Sequence, residues 1–171
     1  IDEQLNRLPA GEIGELVGRS ITMMSGYQNQ PEKTEEASWY DDNGERWQRM
    51  GDIGRVDEEG FVTLLGRSKD MIISGGFNIY PRDLEDALLK QPEVMDAAVI
   101  GIPSKEWGET PLGFVVAAGG ETLDLPAVCA RANAELGKTQ RISVLKQLDE
   151  LPRSHIGKIL KTTLRKLVSE T

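Results

Sequence analysis

The order in which strand-like and helix-like segments follow one another limits the fold most. The first 67 residues carry short strand-like runs around one short helical stretch. "GEIGELVGRS", after the Pro9-Ala10-Gly11 turn, reads as a strand with Ile13, Leu16 and Val17 as candidates for burial. In "QPEKTEEAS", Pro31 stands at a helix start and acids fill the first turns, favourable next to the helix dipole. "ERWQRMGD" and "GRVDEEGFVTLLGR" give strand-like segments about the turn Asp57-Glu58-Glu59-Gly60, a hairpin signal.

Further on, helices enter. "DMIISGG" is an apolar strand ending in a glycine pair, and "YPRDLEDALLK" starts a helix at Pro81 with Leu84, Ala87 and Leu88 on one face. After Pro92, "VMDAAVIGIP" and "GFVVAA" are apolar strands separated by the polar loop "SKEWGE". "LPAVCARANAEL" is a helix, "SVLKQL" a strand, and "LKTTLRKLVSE" a helix with Leu160, Leu164, Leu167 and Val168 on one face. Strands and helices mix without the strict alternation of a doubly wound sheet, so the expected class is α+β. A β-rich N-terminal segment, residues 1–67, is followed by a small C-terminal domain, residues 68–171, with a short sheet flanked by helices. The boundary is expected between Gly66 and Asp70.

Charge and composition exclude several roles. With 28 acidic and 20 basic residues the net charge is −8, which argues against nucleic acid or an anionic membrane as the main partner. No apolar run approaches the roughly 18 to 20 residues that span a bilayer. A soluble, cytoplasmic protein is the expectation. Cys129 is the only cysteine, so an internal disulfide and a zinc cluster are excluded, and its place in an apolar helical stripe marks it as a core residue. The opening "IDEQLNRLPAGEIGELVGRS" has no initiating methionine, and a fragment lacking a larger N-terminal portion is expected.

Four groups of residues could carry chemistry. Asp52, after Gly51 and near Arg49, has two acceptor oxygens that suit a vicinal diol such as a ribose; it could equally be a turn aspartate capping its own backbone. In "GRSKD", Arg67 offers a planar fork for a ribose or phosphate, and Lys69 and Asp70 lie where two segments join; a charged connector has the same composition. Gly75-Gly76 permits positive φ or close approach of a backbone to a ligand, as would a merely structural turn. Lys158, after Gly157 and ahead of a helix, could reach a phosphate or carboxylate as a mobile point charge, or be one more solvated lysine. It does not belong to a P-loop: Pro152 and Ile159 stand where that loop needs a glycine and a hydroxyl. His155 is the only histidine, and no cluster has metal-ligand spacing.

Taken in order, "GYQNQPEKTEEA", "RMGDIGRVDEEGFVTLLGRSKDMIISGGFNIYPRDLEDAL", "AAVIGIPSKEWGETPLGFVV" and "DELPRSHIGKILK" resemble the C-terminal portion of the adenylate-forming superfamily, the acyl-CoA synthetases and their relatives. Several spaced motifs recur in one order, from about Gly11 to Leu167. The resemblance implies a ligase that joins a carboxylic acid to ATP, with Mg2+, and passes the acyl group to CoA. It implies that Asp52 binds the ribose hydroxyls with help from Arg67, and that Lys158 lies against the reacting carboxylate and α-phosphate. Lys69 takes the hinge position, and Gly75 and Gly76 line the pantetheine tunnel after the small domain swings. The phosphate loop and acyl pocket belong to an N-terminal domain outside this chain, so the chain alone should not catalyse. Pro152, Gly157 and Lys158 also have the spacing of the site at which bacterial acyl-CoA synthetases are inactivated by lysine acylation, which implies an acetyltransferase and a deacetylase as partners. Met50 and Phe77 depart from the family's usual Thr and Glu and bear on acyl or thiol preference. Two alternatives stay open: an adenylation domain that loads a carrier protein, and a non-catalytic nucleotide-binding or interaction module.

Overall fold

A computed structural model describes residues 1–169. The chain forms two compact units, Ile1–Lys69 and Asp70–Thr171. The fold is mixed α and β, with mainly antiparallel sheets.

In the first unit, strands β1 (Gly14–Gly18), β2 (Ser38–Tyr40), β3 (Arg46–Val56) and β4 (Val62–Arg67) form one sheet, and helix α1 (Pro31–Glu36) precedes β2. β3 is the spine, antiparallel to each of the other three strands. It runs unbroken through "RWQRMGDIGRV", joining the segments "ERWQRMGD" and "GRV" that the sequence alone keeps apart; a register irregularity between Ile53 and Gly54 is accommodated without ending the strand. The Asp57–Gly60 hairpin turn closes on itself. Asp57 N–H donates to the Phe61 carbonyl at 3.0 Å, and the Asp57 carboxylate accepts from the N–H groups of Glu59 and Phe61 at 3.0 and 2.8 Å. Ile13 lies outside β1 and is exposed, against expectation, while Leu16 and Val17 are half-buried. Among the described residues Ile53 is the one buried apolar residue larger than glycine in this unit, and Phe61 just before β4 and Val62 and Leu64 within it are exposed.

The second unit is built differently. Its sheet contains β5 (Ile72–Ser74), β6 (Phe77–Ile79), β7 (Val94–Ser104), β8 (Gly108–Ala117) and β9 (Val144–Gln147). Helices α2 (Pro81–Leu89), α3 (Leu125–Glu135) and α4 (Lys161–Ser169) pack on it. Glu170, expected at the end of α4, lies outside the described residues. Antiparallel β7 and β8 form the centre, and the apolar runs in both strands are buried on both faces. On one side Val94, Ala97, Val99, Val115 and Ala117 meet Leu84 and Leu88 of α2 and Val128 and Ala132 of α3. On the other, Ala98, Ile100, Leu112, Phe114 and Val116 meet Leu151 and Leu164 of α4. Two-sided burial explains why these strands read as continuous apolar runs rather than alternating ones. β9 lies parallel to β8, a pairing that needs the long crossover through α3.

Polar groups bind the layers as well. The Glu85 carboxylate on α2 accepts from Val99 N–H at 2.9 Å and pairs with Lys161 of α4 at 2.7 Å. Cys129 is half-buried and packs against the α2/α3 side of the core; burial pushes its thiol pKa up, while a hydrogen bond from the Asn133 amide acts in the opposite sense. Among the described residues, no helix is long and apolar enough to cross a membrane.

Leu164 is fully buried, and truncating it would leave a cavity beneath α4. Leu164→Ala should therefore cost about 2–5 kcal/mol of unfolding free energy, read from the urea midpoint, whereas Leu167→Ala, at an exposed site, should cost far less.

Candidate functional site

Asp52 and Arg67 are opposite each other on β3 and β4, with Arg67 Nε 3.2 Å from Asp52 Oδ1. Asp52 is half-exposed and accepts no hydrogen bond from backbone among the described residues, so it is not capping a turn. Its carboxylate is partly exposed and paired with Arg67. The backbone before it is held by Glu15, a residue the motif reading did not single out. Glu15 Oε1 accepts from Gly51 N–H at 3.2 Å, while Oε2 accepts from Arg49 Nε and Nη2 at 3.1 and 2.6 Å. One carboxylate thus ties β1 to the Gly51-Asp52 step of β3, and charge-assisted bonds of this kind are the stronger ones.

Lys69 is exposed in the single turn Ser68–Asp70, and the division between the compact units falls immediately after it. Asp70, the next residue, pairs with Arg165 of α4 at 3.0 Å, so the second unit is anchored from its first residue.

In the second unit, Gly75 and Gly76 form a two-residue hairpin turn between β5 and β6, with φ of +58° and +83°. Both central residues left-handed is the arrangement that suits the twist of a tight hairpin and that favours glycine. β6 itself was not evident from the sequence, because "FNI" is only three residues long and Pro81 follows closely. Trp107 of the β7–β8 connection and Glu109 of β8 brace this hairpin. Gly75 N–H donates to the Trp107 carbonyl at 2.9 Å, and a Cβ on Gly75 would lie 2.7 Å from the Trp107 ring. Glu109 Oε2 accepts from Ile73 N–H at 3.0 Å. Ile73, Phe77 and Trp107 together leave an exposed apolar tip.

Lys158 sits on the loop between β9 and α4. Ser154 N–H donates to the Lys158 carbonyl at 2.8 Å, Gly157 N–H to the Ser154 carbonyl at 2.9 Å, and Lys158 N–H to Ser154 Oγ at 3.1 Å. Gly157 has φ +81°, which a side chain would strain. Arg153 and Ile159 close the loop as an antiparallel bridge. The Lys158 side chain is exposed, and its ammonium has no ion-pair partner among the described residues; His155 is exposed on the same loop.

The lysine loop and the glycine turn lie at opposite ends of the β7–β8 hairpin. Arg153, at the base of the lysine loop, pairs with Asp96 near the start of β7. The glycine turn meets Trp107 and Gly108 at the hairpin's tip. Asp96 and Ser104 are eight residue steps apart along β7, about 26 Å at roughly 3.3 Å per residue.

Residues 83–158 match the AMP-binding enzyme C-terminal domain. Over most of its length the chain is similar to proteins named as CoA ligases, and it resembles the C-terminal part of adenylate-forming enzymes. It is 40% identical over 163 residues to a 2-succinylbenzoate–CoA ligase of Bacillus cereus, covering 95% of this chain and 32% of the relative. With the long-chain-fatty-acid–CoA ligase FadD13 of Mycobacterium tuberculosis it shares 40% identity over 160 residues, 92% of this chain and 30% of the relative. The crystal structure of ATP-bound MatB from Rhodopseudomonas palustris superposes with a TM-score of 0.85 at 36% identity, over 94% of this chain and 31% of that one. The chain therefore spans about a third of the length of these relatives.

The geometry separates two kinds of glycine. Gly76→Ala meets nothing within 4 Å and should cost only the conformational penalty, about 1–2 kcal/mol. Gly75→Ala adds the clash with Trp107 and should be clearly the more destabilising of the two in thermal unfolding.

Proposed function

We propose that this chain is the C-terminal part of an AMP-forming acyl-CoA synthetase, with residues 1–67 completing a large adenylation domain and residues 68–171 forming its mobile C-terminal domain. A carboxylate oxygen attacks the α-phosphorus of ATP, the bond from that phosphorus to the bridging oxygen breaks, and pyrophosphate leaves. The sulfur of CoA, as thiolate, then attacks the acyl carbon of the adenylate, and AMP leaves. Asp52 accepts hydrogen bonds from the ribose hydroxyls, with Arg67 beside it. Lys158 places a positive charge where the phosphoryl oxygens gain negative charge, stabilising the transition state more than the ground state. Gly75 and Gly76 let the backbone come close to the pantetheine arm. Lys69 is the hinge.

The observation that carries this reading is the placement of the lysine loop and the glycine turn at opposite ends of one rigid hairpin. Two groups held at opposite ends of a strand spanning about 26 Å are ill placed to serve one reacting centre in one pose, which supports a turn of the body between half-reactions. The division of the compact units beside Lys69 supports a hinge there. The sparse core of the first unit, with Ile53 as its one buried apolar residue larger than glycine among the described residues, supports its being part of a larger domain. Magnesium is expected to travel with the ATP phosphates. Among the described residues no group of three or more His, Cys, Asp or Glu is placed to hold it, and this chain's own contribution of positive charge rests on Lys158. The exposed, unpaired Lys158 is also the natural target of an acetyltransferase, which would cancel its charge.

The test is pyrophosphate release by the full-length protein with ATP, Mg2+, CoA and a panel including octanoate, palmitate, benzoate and malonate. Lys158→Ala and Lys158→Gln, the latter mimicking acetylation, should each slow adenylation by roughly 10²- to 10³-fold. Thioester formation from supplied acyl-adenylate should persist. Lys69→Pro should impair one half-reaction more than the other. Undiminished adenylation in the Lys158 variants would overturn the assignment, and equal losses in both half-reactions would remove Lys69 as hinge.

A further inference from the structure

We propose that Arg153 and Asp96 act together as positioning residues for Lys158, a proposal that rests on the reading of Lys158 as the adenylation cation. The hydrogen bonds inside the loop Ser154–Lys158 set its shape but do not by themselves aim it. Arg153 supplies the polar cross-link to the sheet. Its Nη1 donates to the Gly157 carbonyl at 2.7 Å, immediately before Lys158, and its Nη2 pairs with the Asp96 carboxylate on β7. Asp96 is fixed in turn: its Oδ1 accepts from Ala97 N–H at 3.0 Å, and it follows a register irregularity between Val94 and Asp96. A bulge of this kind re-aims a side chain out of the strand's regular alternation. Leu151, which is buried, and Ile159, which packs on the α4 side of the core, anchor the two ends of the loop. Arg153 controls what stands between them.

The chemistry requires arginine. A guanidinium has several N–H groups in a rigid fork and can serve a carbonyl and a carboxylate at once, whereas a lysine ammonium is a single point on a flexible stem. Both partners are partly exposed, and ion pairs in such places add little stability. The pair is therefore expected to show itself in the placement of Lys158 rather than in folding. A misplacement of about 1 Å can cost roughly a hundredfold in rate.

The test compares Arg153→Ala, Arg153→Lys, Asp96→Asn, the double variant Arg153→Ala/Asp96→Asn and Lys158→Ala in the full-length protein. Pyrophosphate release is measured with octanoate and benzoate as probe acids, and thioester formation from pre-made octanoyl- and benzoyl-adenylate. Hydrogen exchange across residues 152–160 gives a readout that needs no substrate. Arg153→Ala should slow adenylation roughly ten- to a hundredfold, with Arg153→Lys recovering only part of the loss. Thioester formation should stay within about twofold, the unfolding midpoint near wild type, and exchange in the loop should accelerate. The double variant should be no slower than Arg153→Ala, because both substitutions break one linkage. Wild-type adenylation in Arg153→Ala, parallel loss of both half-reactions, or additive effects would each overturn the proposal. If Arg153→Ala does not fold, Asp96→Asn decides by the same criteria. A slow Lys158→Ala beside a normal Arg153→Ala would remove only the positioning role; a normal Lys158→Ala would remove the functional reading beneath it.

Discussion

The burial of the β7–β8 hairpin on both faces is the constraint from which the second unit follows. Helices α2 and α3 cover one face and α4 the other, so the strands can carry almost nothing but apolar side chains between Ala97 and Ile100 and between Leu112 and Ala117. At about 25 cal/mol for each Å² of apolar surface removed from water, this is where the unit gains its rigidity. It also leaves no room for chemistry in the middle. Reactive groups are confined to the ends of the hairpin, where the strands emerge and loops take over.

The two ends are furnished unlike each other. At one, a cation stands on a short loop fastened by its own backbone and by Arg153. At the other, a glycine turn lies against an indole ring, with Ile73, Phe77 and Trp107 presenting an apolar surface. On the proposed reading, a stiff body with dissimilar ends suits an enzyme that stabilises phosphoryl charge in one step and admits a thiol-bearing arm in the next. The first unit behaves otherwise. Its sheet is held by hydrogen bonds and by Glu15 more than by a core, and its apolar β4 surface is unsheltered.

Much of the second unit was legible in the sequence because its segments have clear periods. Leu84, Ala87 and Leu88 recur at helical spacing and are buried, and the two long apolar runs are the central strands. The failures have local causes. Ile13 is apolar but precedes the strand, β6 is too short to display any alternation, and the two segments either side of Ile53 are one strand, β3, with a register shift inside it. The proposed site was legible through the order of several motifs and not through the spacing of any one of them. What stayed hidden was the bracing. Glu15 and Arg49 are 34 residues apart, Ile73 and Glu109 36, and Asp96 and Arg153 57, distances over which no periodicity speaks. These partners are ordinary charged residues until the sheet brings them together.

The parallel pairing of β9 with β8 has a consequence for how the chain reaches its native state. β7 and β8 are joined by only three residues and can zip together early, at small entropic cost. β9 must wait for a segment of 26 residues, containing α3, to close behind it before its ladder forms. The lysine loop lies beyond β9, so the part of the chain that carries the cation is assembled late, onto a nucleus in which the glycine turn's support already exists.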